Sequence, residues 1–117
     1  MVEITMQVSK SLATRIQSFG DWSSTIIELS LADFQFQSTK EASTELMKFL
    51  SHKPSAQKVL DYFISGEHQK RLDDLLDLNG EGKISDLQKK ELNEWTKINH
   101  ISILLKASAG KLAGRQN

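Results

Sequence analysis

Oxygen-bearing side chains recur at alternate positions in residues 77–88, a stretch whose residue types suggest ion chemistry. Asp77, Asn79 and Glu81 occupy its first, third and fifth positions, and Ser85 occupies the ninth. Carboxylate, amide and hydroxyl oxygens at these spacings are the ligands that calcium-binding loops use. The stretch is therefore a candidate calcium site.

The same stretch also fits a plain turn between two helices. EF-hand loops, which it resembles, end on a glutamate that supplies two oxygens, whereas this chain has the neutral Gln88 at that position. Gly82 can adopt a positive φ, Ile84 can pack inward, and Ser85 with Gln88 has the spacing of a capping box. The missing bidentate ligand favours the turn, so we expect no bound metal, with calcium as the alternative.

The sequence contains no recognisable catalytic set. His52, His68 and His100 are far apart, and none lies at a metal-ligand spacing. The chain has no cysteine, which excludes disulfides and a thiolate nucleophile. Neither a Ser/His/Asp pattern nor a Gly-rich phosphate loop is present. We therefore expect a protein that is not an enzyme and that has no cofactor.

Composition predicts an ordered and mostly helical protein. The 117 residues are 38% hydrophobic and 26% charged, with a single proline. Fifteen basic and fifteen acidic residues give zero net charge, which provides no general attraction to nucleic acid or to an anionic membrane. No apolar run approaches the roughly 20 residues that span a bilayer, and the N-terminus lacks the pattern of a signal peptide. We expect a cytoplasmic protein without membrane contact.

The first residues alternate between apolar and polar side chains. Val2, Ile4, Met6 and Val8 are separated by polar residues, which is the period of two that predicts a half-buried strand. Residues 10–19 then change to helical spacing and end at a glycine, and a second apolar helix follows. Asp21 or Ser23 is expected to cap that second helix.

This strand–helix–helix order resembles the ribbon-helix-helix fold of bacterial repressors and antitoxins. In that family two chains pair their strands as a dimer and present the polar strand faces to the DNA major groove. The resemblance implies that the DNA-binding residues are Glu3, Thr5, Gln7, Lys10, Ser23 and Ser24. Against DNA binding, the first 54 residues hold five basic and six acidic side chains. The alternative is a strand that only dimerises or that joins the sheet of a partner.

The remaining pattern is helical. The fold class that we predict is mainly α: a short N-terminal β-strand followed by about five or six helices, with a ribbon-helix-helix-like start and a C-terminal helical hairpin. Residues 1–36 would form a strand–helix–helix unit for dimerisation and possible DNA binding, and residues 37–117 a helical partner-binding region. Pro54 and Ser55 predict the start of a short helix that carries Val59, Leu60, Phe63 and Ile64. The tail after Gly110 is expected to fray.

The last helix has more apolar positions than one narrow stripe needs. Such a surface requires cover from another helix or another chain. The predicted partner-binding residues are Trp95, Ile98, Ile101, Leu104 and Leu105.

Several phrases of the sequence resemble a group of small uncharacterised cyanobacterial proteins that are suspected partners of nucleases. They lie in residues 4–17, 24–31 and 72–85, together with 91–95 and 104–107. The resemblance implies a non-catalytic, antitoxin-like protein that dimerises through its strand, binds promoter DNA and neutralises a nuclease-type toxin through its C-terminal helices. The alternative is a structural interaction subunit of a larger protein assembly that does not bind DNA.

Overall fold

A computed structural model describes Glu3 and residues 5–116, with side chains as far as Gly114. Six α-helices and one short 3-10 turn form its secondary structure over these residues. In chain order they are α1 (Lys10–Gln17), the 3-10 turn (Gly20–Trp22), α2 (Ser23–Leu31), α3 (Gln37–Ser51), α4 (Ala56–Leu60), α5 (Gly66–Gly80) and α6 (Asp86–Gln116). The predicted helical character is confirmed, and the tail that we expected to fray belongs to α6.

The predicted N-terminal strand is wrong. Glu3 and residues 5–9 contain no strand, and no sheet forms anywhere in the described chain. A strand exists only when its backbone pairs with another strand, and alternation of side chains does not supply that partner. Met6 is 70% exposed, so the alternation does not bury a face against this chain. Val2 and Ile4 lie outside the described residues.

Because the strand is absent from the described residues, the predicted ribbon-helix-helix-like start is also wrong. The two helices that were predicted to follow the strand are present. Ser9 caps α1 by accepting a hydrogen bond from the Leu12 backbone N–H at 3.1 Å. Helix α1 ends at Gln17, and Gly20 begins the 3-10 turn with a φ of +63°, a conformation that glycine adopts readily. The predicted cap of α2 is wrong, because its N-cap residue is Trp22 and makes no side-chain capping bond.

Serine hydroxyls cap three of the other helix starts, as is common at N-cap positions. Ser55 accepts a hydrogen bond at α4 and Ser65 at α5. At α6, Ser85 accepts a bond from the Gln88 N–H at 3.1 Å, and the Gln88 amide oxygen accepts one from the Ser85 N–H at 2.9 Å. The predicted capping box and the positive φ of Gly82, +70°, are both confirmed.

Helix α6 is the axis of the molecule. Its 31 residues span about 46 Å at 1.5 Å per residue, and the longest dimension of the described chain is 49 Å. Its C-terminal half packs with α2, α3 and α4 in a first core cluster that includes Trp22, Leu50 and Leu105. Its N-terminal half packs with α5 and the start of α3 in a second cluster around Leu75 and Trp95.

None of the helices within residues 5–116 combines the length and the apolar content that crossing a bilayer requires. The division of the chain into a unit of residues 1–36 and a partner-binding region of residues 37–117 stays a prediction.

Two neighbouring leucines of α6 provide a matched test of this packing. Leu105 is 3% exposed in the first core cluster, whereas Leu104 is 47% exposed. We expect Leu105→Ala to lower the free energy of unfolding by about 3 kcal/mol, because it removes buried methyl groups and leaves a cavity. Leu104→Ala should cost less than about 1 kcal/mol. Urea unfolding followed by circular dichroism measures both, and equal losses would contradict the placement of these side chains.

Candidate functional site

The carboxylate of Glu94 on α6 binds the start of α3. It accepts hydrogen bonds from the backbone N–H of Gln35 at 2.9 Å and of Phe36 at 3.4 Å. The Thr39 hydroxyl lies within hydrogen-bonding distance of the same carboxylate. Phe36, the N-cap residue of α3, has no side-chain cap of its own. A side chain from another helix therefore satisfies these donors and fixes where α3 begins.

Glu91, three residues earlier on α6, binds both α5 and α3. Arg71 donates to its two oxygens, from Nε at 2.8 Å and from Nη2 at 2.7 Å, and the Ser38 hydroxyl donates at 2.7 Å. The Arg71 hydrogen bonds hold the pKa of Glu91 below its usual value, against burial, which acts in the opposite direction.

Acid sensitivity tests this ion pair. Because the folded pKa of Glu91 is lowered, the unfolded chain takes up the proton first as the pH falls below about 4.5. The stability from the pair is therefore complete above that pH and is lost as the pH falls through the folded pKa. We expect Arg71→Met to lower the free energy of unfolding by about 1.5 kcal/mol at neutral pH and to remove this part of the acid dependence.

The control is Lys70→Met, which makes the same charge change at an exposed neighbour on α5. It should change the free energy of unfolding by less than about 0.5 kcal/mol. Urea unfolding at neutral and acidic pH measures both variants. Identical losses for the two variants at every pH would contradict a stabilising role for the Arg71–Glu91 pair.

A cleft opens beside these interactions, between α5, α6 and residues 61–64. Its volume is about 140 Å³. The floor of the cleft, as we call its buried and half-buried apolar lining, consists of Ile64, Leu72, Trp95 and Ile98. Trp95 is 1% exposed, so only a small part of its ring faces the opening. The floor offers an apolar surface that is already formed in the free protein.

The rim of the cleft is more polar and more exposed. It includes Phe63, Asn99, Ser102 and Lys106. Phe63 is 80% exposed, which is unusual for a large apolar side chain in a short connection. Lys106 Nζ lies 4.7 Å from the centroid of the Phe63 ring, a cation–π distance. Among the described residues that line the cleft, Lys106 is the one that carries a charge.

Tyr62 closes the side of the cleft nearest α3. Its ring stacks on Phe49, with centroids 4.6 Å apart and the planes 26° from parallel. The hydroxyl is buried and makes no hydrogen bond of ordinary geometry to the described residues. Burial and then the nearby Glu45 carboxylate raise the pKa of Tyr62 to about 12.

The titration of this tyrosine is measurable because the chain contains a single one. We expect tyrosinate absorbance to rise with a midpoint near pH 12 instead of the ordinary 10. Above about pH 10 the unfolded chain loses this proton before the folded chain does. The contribution of Tyr62 to the free energy of unfolding therefore falls as the pH rises from about 10 to about 12. Glu45→Gln should lower the midpoint only in part, because burial is the larger cause. A midpoint at the ordinary value in the folded protein would contradict this burial.

The residues predicted to bind a partner lie in different surroundings. Trp95 and Ile98 form part of the cleft floor, whereas Ile101 and Leu105 are buried in the first core cluster. Leu104 is exposed on α6. Phe63 and Ile64, which the sequence had placed on the fourth helix, follow its end at Leu60 and line the cleft instead.

The predicted DNA-binding residues are at the surface, but Glu3 and residues 5–9 form no strand that would align them. Glu3, Thr5, Gln7, Lys10 and Ser24 are exposed, and Ser23 is half-buried at the first turn of α2.

The candidate calcium loop has the structure of the turn. Asp77 and Asn79 belong to α5, and Ser85 and Gln88 bond to each other at the start of α6. Throughout the described part of the chain, no group of three His, Asp or Glu side chains could hold a metal ion. The buried His68 lies 3.4 Å from Glu45, and His52 Nδ1 lies 2.7 Å from the Lys48 carbonyl oxygen.

No protein-family model, curated protein or solved structure matches the chain. The resemblance to antitoxin-like cyanobacterial proteins therefore stays a hypothesis, whereas the resemblance to ribbon-helix-helix repressors is lost with the strand that the described residues lack.

Proposed function

We propose that this protein is a non-catalytic helical interaction module that binds a partner protein by taking one of its apolar side chains into the cleft. One observation carries the proposal: a preformed apolar cleft, with Ile64, Leu72, Trp95 and Ile98 as its floor, lies beside an exposed phenylalanine. Interfaces of this kind place an apolar anchor in a pocket and surround it with polar contacts.

The size of the cleft favours a single side chain over a whole metabolite. Its volume of about 140 Å³ is close to that of an apolar cavity, about 150 Å³, that accepts a benzene-sized molecule. Sites for complete small ligands are usually larger, at roughly 300 Å³ or more. A leucine or phenylalanine side chain has the appropriate dimensions, and the rest of its peptide would lie along the rim.

The rim has the groups that such a peptide needs. Asn99 and Ser102 supply an amide and a hydroxyl that can pair with backbone carbonyl and N–H groups. Phe63 offers an apolar face that would lose water when the peptide binds. The occupant that fits is therefore an extended or helical segment of another protein with one protruding apolar residue.

The proposal keeps one part of the antitoxin-like hypothesis, which is the binding of a partner through the C-terminal helices. A structural subunit of a larger assembly would bind its partner in the same way. A nuclease-type toxin remains one candidate partner. DNA binding and strand-mediated dimerisation are not included, because they depended on the strand that the described residues lack.

Phe63 provides a test that does not disturb the core. The probe is a short blocked peptide with one leucine among glycines, titrated into isotopically labelled protein while the NMR signals of Trp95 and Ile98 are followed. We expect these signals to shift, and Phe63→Ala to weaken binding about fivefold, because the peptide loses an apolar contact.

Leu31→Ala is the matched control, because Leu31 is 79% exposed on α2 and outside the cleft. It should leave the affinity unchanged. The proposal is contradicted if the peptide shifts no cleft signal or if both variants weaken binding equally. If the NMR signals of Trp95 and Ile98 shift with protein concentration in the absence of peptide, a second copy of the chain occupies the cleft. That result would also contradict the proposal.

A further inference from the structure

Lys106 gives the cleft an electrostatic preference, and this inference rests on the proposed function. We infer that the partner segment carries a carboxylate beside its apolar anchor residue, and that Lys106 is the residue that selects it.

The charge at the opening of the cleft is positive. The described residues lining the cleft include one charged side chain, the Lys106 ammonium, on an otherwise neutral surface. Apolar walls have a low dielectric constant, so they focus the field of a nearby charge into the opening. A peptide that enters here therefore meets a net positive potential from the lining itself.

Asp61 and Asp73 adjoin cleft residues in the sequence, but neither lines the cleft. Asp73 accepts a hydrogen bond from Gln69 at 2.9 Å, and Asp61 accepts one from Gln57 at 3.2 Å. Glu45 faces His68 and the Tyr62 hydroxyl behind the cleft. No salt bridge connects Lys106 to an acidic side chain of the described residues.

The position of Lys106 suits exchange of partners. Its ammonium lies over the Phe63 ring, a contact that is weak where the ring is exposed. A carboxylate from a bound segment would give the ammonium a stronger, charge-assisted hydrogen bond. The Phe63 ring would then remain free to cover the apolar anchor. Lys106 would thus bind the carboxylate of the segment, and Phe63 would contact its apolar residue.

Three blocked peptides test the preference. Each has one leucine, flanked by glutamates, glutamines or lysines, and NMR titration measures its affinity for the full chain. We expect the glutamate peptide to bind about threefold tighter than the glutamine peptide, the size of effect that an exposed ion pair produces. The lysine peptide should bind more weakly than the glutamine peptide, and added salt should reduce all these differences.

Variants of Lys106 separate this inference from the proposed function. Lys106→Met keeps an apolar stem and should remove the preference for glutamate while the glutamine peptide still binds. Lys106→Glu should reverse the preference. Lys97→Met makes the same charge change on α6 outside the cleft and should leave the preference intact.

The outcomes are distinguishable. If none of the peptides binds, the proposed function fails and this inference fails with it. If the peptides bind with equal affinity, or if Lys97→Met removes the preference as fully as Lys106→Met, the cleft is a binding site but Lys106 does not select an acidic segment.

Discussion

Two carboxylates on α6 determine how three helices meet. Glu91 binds Arg71 of α5 and Ser38 of α3, and Glu94 binds the backbone N–H groups just before α3. Charge-assisted hydrogen bonds with this geometry are among the stronger polar interactions in proteins. Because both carboxylates lie within one turn of the same helix, they fix α3 and α5 against a single rigid element.

The cleft is a consequence of that arrangement. Trp95 follows Glu94 directly, and its ring packs in the second core cluster beneath α5. Residues 61–65 connect α4 to α5, and residues 62–64 of this connection line the cleft together with residues of α6. An apolar depression remains between this connection and α6, and Trp95 and Ile98 belong to its floor. The partner-binding use that we propose for the cleft would therefore depend on the same packing that stabilises the fold.

The sequence predicted several of the features that depend on neighbouring residues, although not the cap of α2. Ser55 as a cap, the Ser85–Gln88 capping box and the turn at Gly82 were all correct, because hydrogen bonds over three or four residues determine them. The N-terminal strand failed because a strand needs a distant partner, and side-chain alternation carries no information about one.

The site itself was only partly predictable. Trp95 and Ile98 were recognised as apolar residues of the last helix, but their position next to Phe63 and Lys106 depends on how α4, α5 and α6 meet. Phe63 and Ile64 matched the helical spacing of Val59 and Leu60, although α4 ends before them. The capping role of Glu94 was also missed, because it joins residues 58 and 59 positions apart.

Intermolecular nuclear Overhauser effects test the central claim, that the cleft takes an apolar side chain of a partner, most directly. The labelled groups are the methyl carbons of the protein, and the ligand is the glutamate-flanked leucine peptide. The proposed function predicts contacts from the peptide leucine to the methyl groups of Ile64, Leu72 and Ile98, which line the cleft. Contacts confined to exposed methyl groups elsewhere, such as those of Leu31 or Leu104, would contradict it.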